Sequence, residues 1–130
     1  MNYLSAEDIL VVHALLVDET GGMHGVRDTH LLSSIIARPQ MSVGGSDAYP
    51  DVFSKAGVYL ESIARHHVFV DGNKRTSFVV AVRFLYLNGY VFLGSNEEIE
   101  GFVLRVITHK LDVATIANWF RAHSRESECQ

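Results

Sequence analysis

The run Phe78-Val79-Val80-Ala81-Val82-Arg83-Phe84-Leu85-Tyr86-Leu87 constrains this chain more than any other segment. It falls well short of the roughly 20 apolar residues that span a membrane, and Arg83 interrupts it. It is too apolar on every side to make a helix with one face in water. Gly89, after Asn88, supplies the stop for a helix running from about Asn73. Such a helix has to sit in the middle of a bundle, so the rest of the chain must supply helices that cover it.

Start signals for those helices recur along the chain. Ser5 can cap a first helix with Glu7 and Asp8 in its first turn and Ile9, Val12 and Leu16 on one face, ending at Gly21-Gly22. Asp28 can cap a second, from Thr29 to about Ala37. The only two prolines, Pro39 and Pro50, bracket a loop containing Gly44-Gly45, and a loop this long in a small domain is usually functional or disordered. Asp51 opens a third helix whose apolar stripe is Val52, Ala56, Tyr59, Leu60 and Ile63, with His67 next on that face. Tyr90 to Leu93 reads as a short extended piece. Asn96 is the expected cap of a fifth helix and Asp112 of a sixth. The result is an all-α bundle of about six helices with a buried central helix. A single domain is expected over residues 1–123, followed by a polar tail, 124–130, expected to fray.

With 130 residues, 48% of them hydrophobic, the chain can bury a core without cross-links. Its single cysteine, Cys129, has no intrachain partner, which favours a reducing compartment. The first residues lack a basic leader, and Glu7, Asp8 and His13 break their apolar stretch, so no secretory signal and a cytoplasmic location are expected. No membrane partner is expected either. A formal net charge of -4 argues against an extended nucleic-acid surface, which needs clustered cations. One stretch runs against that balance: Arg65, His66, His67, Lys74 and Arg75 surround one acid, Asp71. A concentrated basic segment on an acidic protein suggests a small anionic ligand.

The chemistry of that segment begins at the helix start near Asn73. Free N–H groups and the macrodipole make any helix start electropositive. Most helices place acids there, whereas this one places Lys74 and Arg75 in its first turn, each costing about 0.3–1 kcal/mol unless offset. Gly72 lets a ligand approach the backbone closely. Gly72, Asn73, Lys74 and Arg75 together suit a polyphosphate. Both cations could instead extend into solvent. Asp71 has two competing roles, a helix cap or a carboxylate for Mg²⁺ held jointly with phosphate oxygens. His67, carried on the buried stripe of the third helix, is expected to point toward the bundle and the mouth of this site. There it is either a general base for a hydroxyl nucleophile or a core histidine bonded to a carbonyl. His66 falls off the stripe and should face solvent, and Phe69 should pack inward and fix the loop. His13, His24, His30, His109 and His123 show no metal-ligand spacing.

The segment His67-Val68-Phe69-Val70-Asp71-Gly72-Asn73-Lys74-Arg75 resembles the signature of the Doc (death-on-curing) branch of the Fic/Doc superfamily, His-x-Phe-x-Asp/Asn-Ala/Gly-Asn-Lys-Arg. Gly25-Val26-Arg27-Asp28, Leu31-Leu32, Ala37-Arg38-Pro39-Gln40, Tyr49-Pro50, Lys55-Ala56, Phe84-Leu85 and Asn88-Gly89-Tyr90 look like further landmarks, so the resemblance runs from about Leu4 to Trp119. It implies a Fic/Doc-like bundle acting as the toxin of a toxin–antitoxin pair with a Phd-like antitoxin. It also implies transfer of the γ-phosphoryl group of ATP, with Mg²⁺, to a protein Ser/Thr hydroxyl, elongation factor Tu being the expected target. On that mapping His67 deprotonates the hydroxyl and Asp71 holds Mg²⁺. Asn73 and neighbouring N–H groups cradle phosphate oxygens, and Lys74 and Arg75 bind the polyphosphate.

Typical Fic enzymes, which transfer AMP, carry a second Gly where this chain has Lys74. A lysine there would fill the room left by glycine, and the resemblance implies a nucleotide turned to present its γ-phosphorus. Adenylyl transfer is the enzymatic alternative, and a non-enzymatic anion- or RNA-binding inhibitor is the other. The loop Gln40 to Tyr49 occupies the place of the family's substrate-binding flap. Asn96-Glu97-Glu98-Ile99-Glu100-Gly101 comes close to the family's inhibitory helix but starts with the wrong residue, so a plain acidic helix start explains it better.

Overall fold

Most helices of this protein start on a short polar side chain that closes a bond to the backbone. In the computed structural model, which describes residues 1–128, helix α1 (Ala6–Thr20) starts at a reciprocal box between Ser5 and Asp8. Helix α2 (Thr29–Ala37) starts on Asp28, which accepts from the N–H groups of His30 and Leu31. Helix α3 (Val52–His66) follows Asp51, and helix α4 (Asn73–Leu87) follows Gly72. Helix α5 (Asn96–Thr108) is capped by Ser95, boxed with Glu98, one residue before the expected Asn96. Helix α6 (Val113–Ala122) is capped by Asp112. Cys129 lies outside the described residues.

The loop between the prolines is more ordered than its composition suggests. Arg38–Gln40 form a 3-10 turn, and strands β1 (Ser42–Val43) and β2 (Ser46–Asp47) make an exposed antiparallel hairpin. Its turn residues Gly44 and Gly45 both have positive φ, 58° and 84°, as the type I′ hairpin turn requires. Buried Lys55 holds the hairpin to the bundle, its Nζ donating to Pro39 O at 2.8 Å and lying 3.6 Å from Asp47 Oδ2. Strand β3 (Tyr90–Phe92) forms as expected. The tail departs from expectation: Ser124–Glu126 form strand β4, paired antiparallel with β3. A polar sequence conceals this because the pairing is made by backbone groups, with Leu93 N–H also donating to His123 O at 2.7 Å.

The all-α bundle of six helices is as expected, but its most enclosed member is α3 rather than α4. Ala56, Val58, Tyr59, Leu60 and Ile63 are fully buried, and even Gly57 is needed, since a Cβ there would lie 3.3 Å from Val113 O of α6. Helix α4 buries Val80, Ala81, Phe84 and Leu85, while Arg83 and Tyr86 face outward and Val79 and Val82 are half-buried. That outer face lines a surface groove of about 480 Å³ with Phe78, Phe92, Asn96 and Ile99. Apolar identity on all sides of α4 therefore did not mean burial on all sides. No helix among the described residues is long and apolar enough to cross a membrane.

Candidate active site

The turn between α3 and α4 is built by a polar scaffold of neighbours. Residues Val68 to Val70 run alongside Gly25 to Arg27: Arg27 N–H donates to Val68 O at 2.8 Å, Val70 N–H donates to Gly25 O at 3.1 Å, and Val26 pairs with Phe69. Phe69 is fully buried, as expected of a loop anchor. Gly72 then takes φ 79° and ψ 15°, a left-handed conformation that suits glycine. A Cβ there would also press on Val17 Cγ2 at 3.3 Å.

A cavity of about 580 Å³ collects His67, Asp71, Gly72, Asn73, Lys74 and Arg75, closed on the far side by Thr20, Gly21 and Gly22. All six candidate site residues lie on its wall, though several sit differently from expectation. His67 does not continue the stripe of α3. It leaves the helix at φ 50°, ψ 53° and is exposed, because the left-handed step swings the residue off the helical path. Arg27 holds that step, with Nε donating to His67 O at 2.8 Å. His66 is exposed as expected.

Asp71 is not the cap of α4. Gly72 occupies that position without a side-chain bond, and the Asp71 carboxylate accepts from Met23 N–H at 2.8 Å. Asn73 is buried, and its amide is committed to one residue: Oδ1 accepts from Phe69 N–H and Nδ2 donates to Phe69 O, both at 2.9 Å. Its side chain thus clasps the loop, and its backbone N–H is the group left facing the helix start. The first helical bond of α4 runs from Thr76 N–H to Gly72 O at 3.0 Å, so the N–H groups of Asn73, Lys74 and Arg75 precede the ladder. Lys74 is exposed and makes no ion pair among the described residues, while Arg75 reaches Glu100 at 3.4 Å in an exposed pair of small energetic weight.

The donor set suits a polyphosphate carrying Mg²⁺. Three free N–H groups, two cations and a side-chain-free Gly72 favour an anion, and one exposed carboxylate with phosphate oxygens matches how Mg²⁺ is bound. No cluster of three metal-ligating side chains occurs among the described residues, so a metal would depend on the phosphates.

Sequence reasoning missed His13. It lies on the buried face of α1 with Ile9 and Val17, where the expected stripe had Val12 and Leu16, which are half-buried instead. Its Nε2 is 2.7 Å from Asp71 O, and its ring stacks on Phe69 at 3.8 Å and 9°. The available signal was the spacing of four from Ile9 and again to Val17.

A helical bundle with this cation-bearing turn between two packed helices defines a class, and the chain belongs to the Fic/DOC family, whose model matches residues 3–85. Among individual proteins, it is 42% identical over 118 residues to Toxin Doc of Mycolicibacterium smegmatis (strain ATCC 700084 / mc(2)155), covering 88% of each chain. It is also 31% identical over 121 residues to Protein kinase doc of Escherichia phage P1, covering 93% of this chain and 94% of the phage protein.

Proposed function

We propose that this protein is a Doc-type toxin that moves the γ-phosphoryl group of ATP to a Ser or Thr hydroxyl of a protein, with elongation factor Tu the expected target. The observation carrying this reading is the single cavity that gathers an imidazole, a carboxylate and a cationic helix start. The names of the two relatives, a toxin and a protein kinase, support it. Lys74 favours phosphoryl over adenylyl transfer because its charge sits where typical Fic enzymes keep a bare backbone.

In this reading His67 accepts the proton of the target hydroxyl as its oxygen attacks the γ-phosphorus, and the bond to the β-phosphate oxygen breaks to release ADP. The N–H groups of Gly72, Asn73, Lys74 and Arg75, with both cations, hold the phosphate oxygens. Asp71 would bind Mg²⁺, which supplies charge neutralisation across the phosphates.

A Phd-like antitoxin is the partner we infer, in keeping with a cytoplasmic toxin. The groove on α4 joins a smaller cavity of about 240 Å³ lined by Lys74, Arg75, Glu100 and Leu104, the two sharing Phe78. An amphipathic helix with acidic side chains fits that path from apolar trough to cations. The test is incubation with purified elongation factor Tu, Mg²⁺ and ATP labelled separately at the α and γ positions. Label from γ alone is expected, and label from α alone would replace this reading with adenylyl transfer. In the same assay Val82→Glu should retain transfer and lose neutralisation by the antitoxin; retained neutralisation would move the partner elsewhere.

A further inference from the structure

We propose that His13 is a positioning residue that sets the orientation of the Asp71–Gly72 peptide plane, so that the Gly72 N–H faces the phosphate cavity. The inference rests on the phosphate-binding reading of that cavity.

Three observations carry it. First, His13 is buried beneath the turn with Nε2 2.7 Å from Asp71 O. A carbonyl oxygen can only accept, so Nε2 carries the proton and donates. Second, there are no cis peptide bonds among the described residues, and in a trans peptide the N–H points opposite to the C=O. With Asp71 O drawn inward to His13, the Gly72 N–H is directed outward. Gly72 lines the cavity, and its N–H has no acceptor among the described residues.

Third, the turn does not make this choice unaided. Gly72 at φ 79°, ψ 15° has the dihedrals of the third residue of a type II turn. Rotating the preceding peptide plane converts such a turn to type I, which reverses the N–H, and glycine accepts either form. The contact from His13 to the Asp71 carbonyl favours the type II form. The His13 ring is itself held by stacking on Phe69 at 3.8 Å, which keeps its N–H aimed at the carbonyl.

The decisive variants separate ring from donor. His13→Phe keeps an aromatic ring against Phe69 and loses the N–H, whereas His13→Gln keeps a donor and loses the ring. The probes are inorganic tripolyphosphate and Mg·ATP, followed by the amide signal of Gly72 in ¹H–¹⁵N spectra of the full chain. Wild type and His13→Gln are expected to show a Gly72 shift on titration. His13→Phe is expected to bind about tenfold more weakly, the worth of one net hydrogen bond, without that shift. An unchanged affinity and Gly72 shift in folded His13→Phe would overturn the proposal. Should that variant not fold, a scalar coupling across the hydrogen bond from His13 Nε2–H to the Asp71 carbonyl, measured in wild type, decides instead; its absence also overturns the proposal. If tripolyphosphate and Mg·ATP move no signal in wild type, the phosphate-binding reading falls first, a result distinct from the others.

Discussion

His67 combines exposure with a fixed backbone. Its ring lies at the rim of the cavity while its carbonyl is tied to Arg27, so the side chain can be removed without opening the core. For His67→Ala we expect phosphoryl transfer to fall by about 10²–10⁴-fold, with the melting temperature nearly unchanged, measured by labelled-ATP turnover beside calorimetry. A non-enzymatic inhibitor would instead keep its growth inhibition in this variant. At this scale the sequence named the groups around the cavity but not their tasks. Residue type and spacing revealed imidazole, carboxylate and cations. They could not reveal that Asn73 turns its amide back onto Phe69, because that bond depends on the loop being folded. Nor could they link His13 to Asp71, 58 positions away in the chain.

Helix starts were the most readable elements, since a cap and its partners lie within four residues of one another. Ser5, Asp28, Asp51 and Asp112 all open helices as expected. The fifth helix was expected to open on Asn96, but Ser95 is the residue whose side chain accepts from Glu98 N–H, at 3.1 Å, while the Glu98 carboxylate accepts from Ser95 N–H at 3.0 Å. Ser95→Ala should therefore cost about 1 kcal/mol in denaturant unfolding, whereas Asn96→Ala should stay within about 0.5 kcal/mol of wild type. An equal loss from both would return the cap to Asn96. The β3–β4 pairing was hidden for the converse reason: its partners are 36 residues apart at Tyr90 and Glu126, and backbone groups carry it.

For the molecule as a whole, three of these caps couple folding to acidity. Asp8 is held below the usual carboxylate range by hydrogen bonds from the backbone and side chain of Ser5, Glu98 likewise by Ser95, and Asp112 by Thr115. A carboxyl group whose value is lower in the folded chain stabilises it above the unfolded value, about 4, and that contribution is lost as pH falls through the folded value. Thermal melts should therefore show stability declining below about pH 4. Double replacement of Ser5 and Ser95 by alanine should flatten that decline, and an unchanged slope would count against the caps as its source. The number of helices and their order were legible because each carries its own apolar stripe or run. Which helix lies innermost was not, because it depends on neighbours: α4 is apolar all round yet leaves Tyr86 60% exposed.

The left-handed backbone at His67 has a consequence for how this chain can change over generations. Helices that end in this conformation mostly use glycine there, and any residue with a Cβ carries a penalty of about 1–2 kcal/mol. Under the role proposed for His67, heat tolerance and potency thus pull in opposite directions at one codon. Lineages released from that role would gain sturdiness only by exchanging the imidazole for glycine, so descendants without the proposed activity are expected to keep the architecture and to carry Gly at this position.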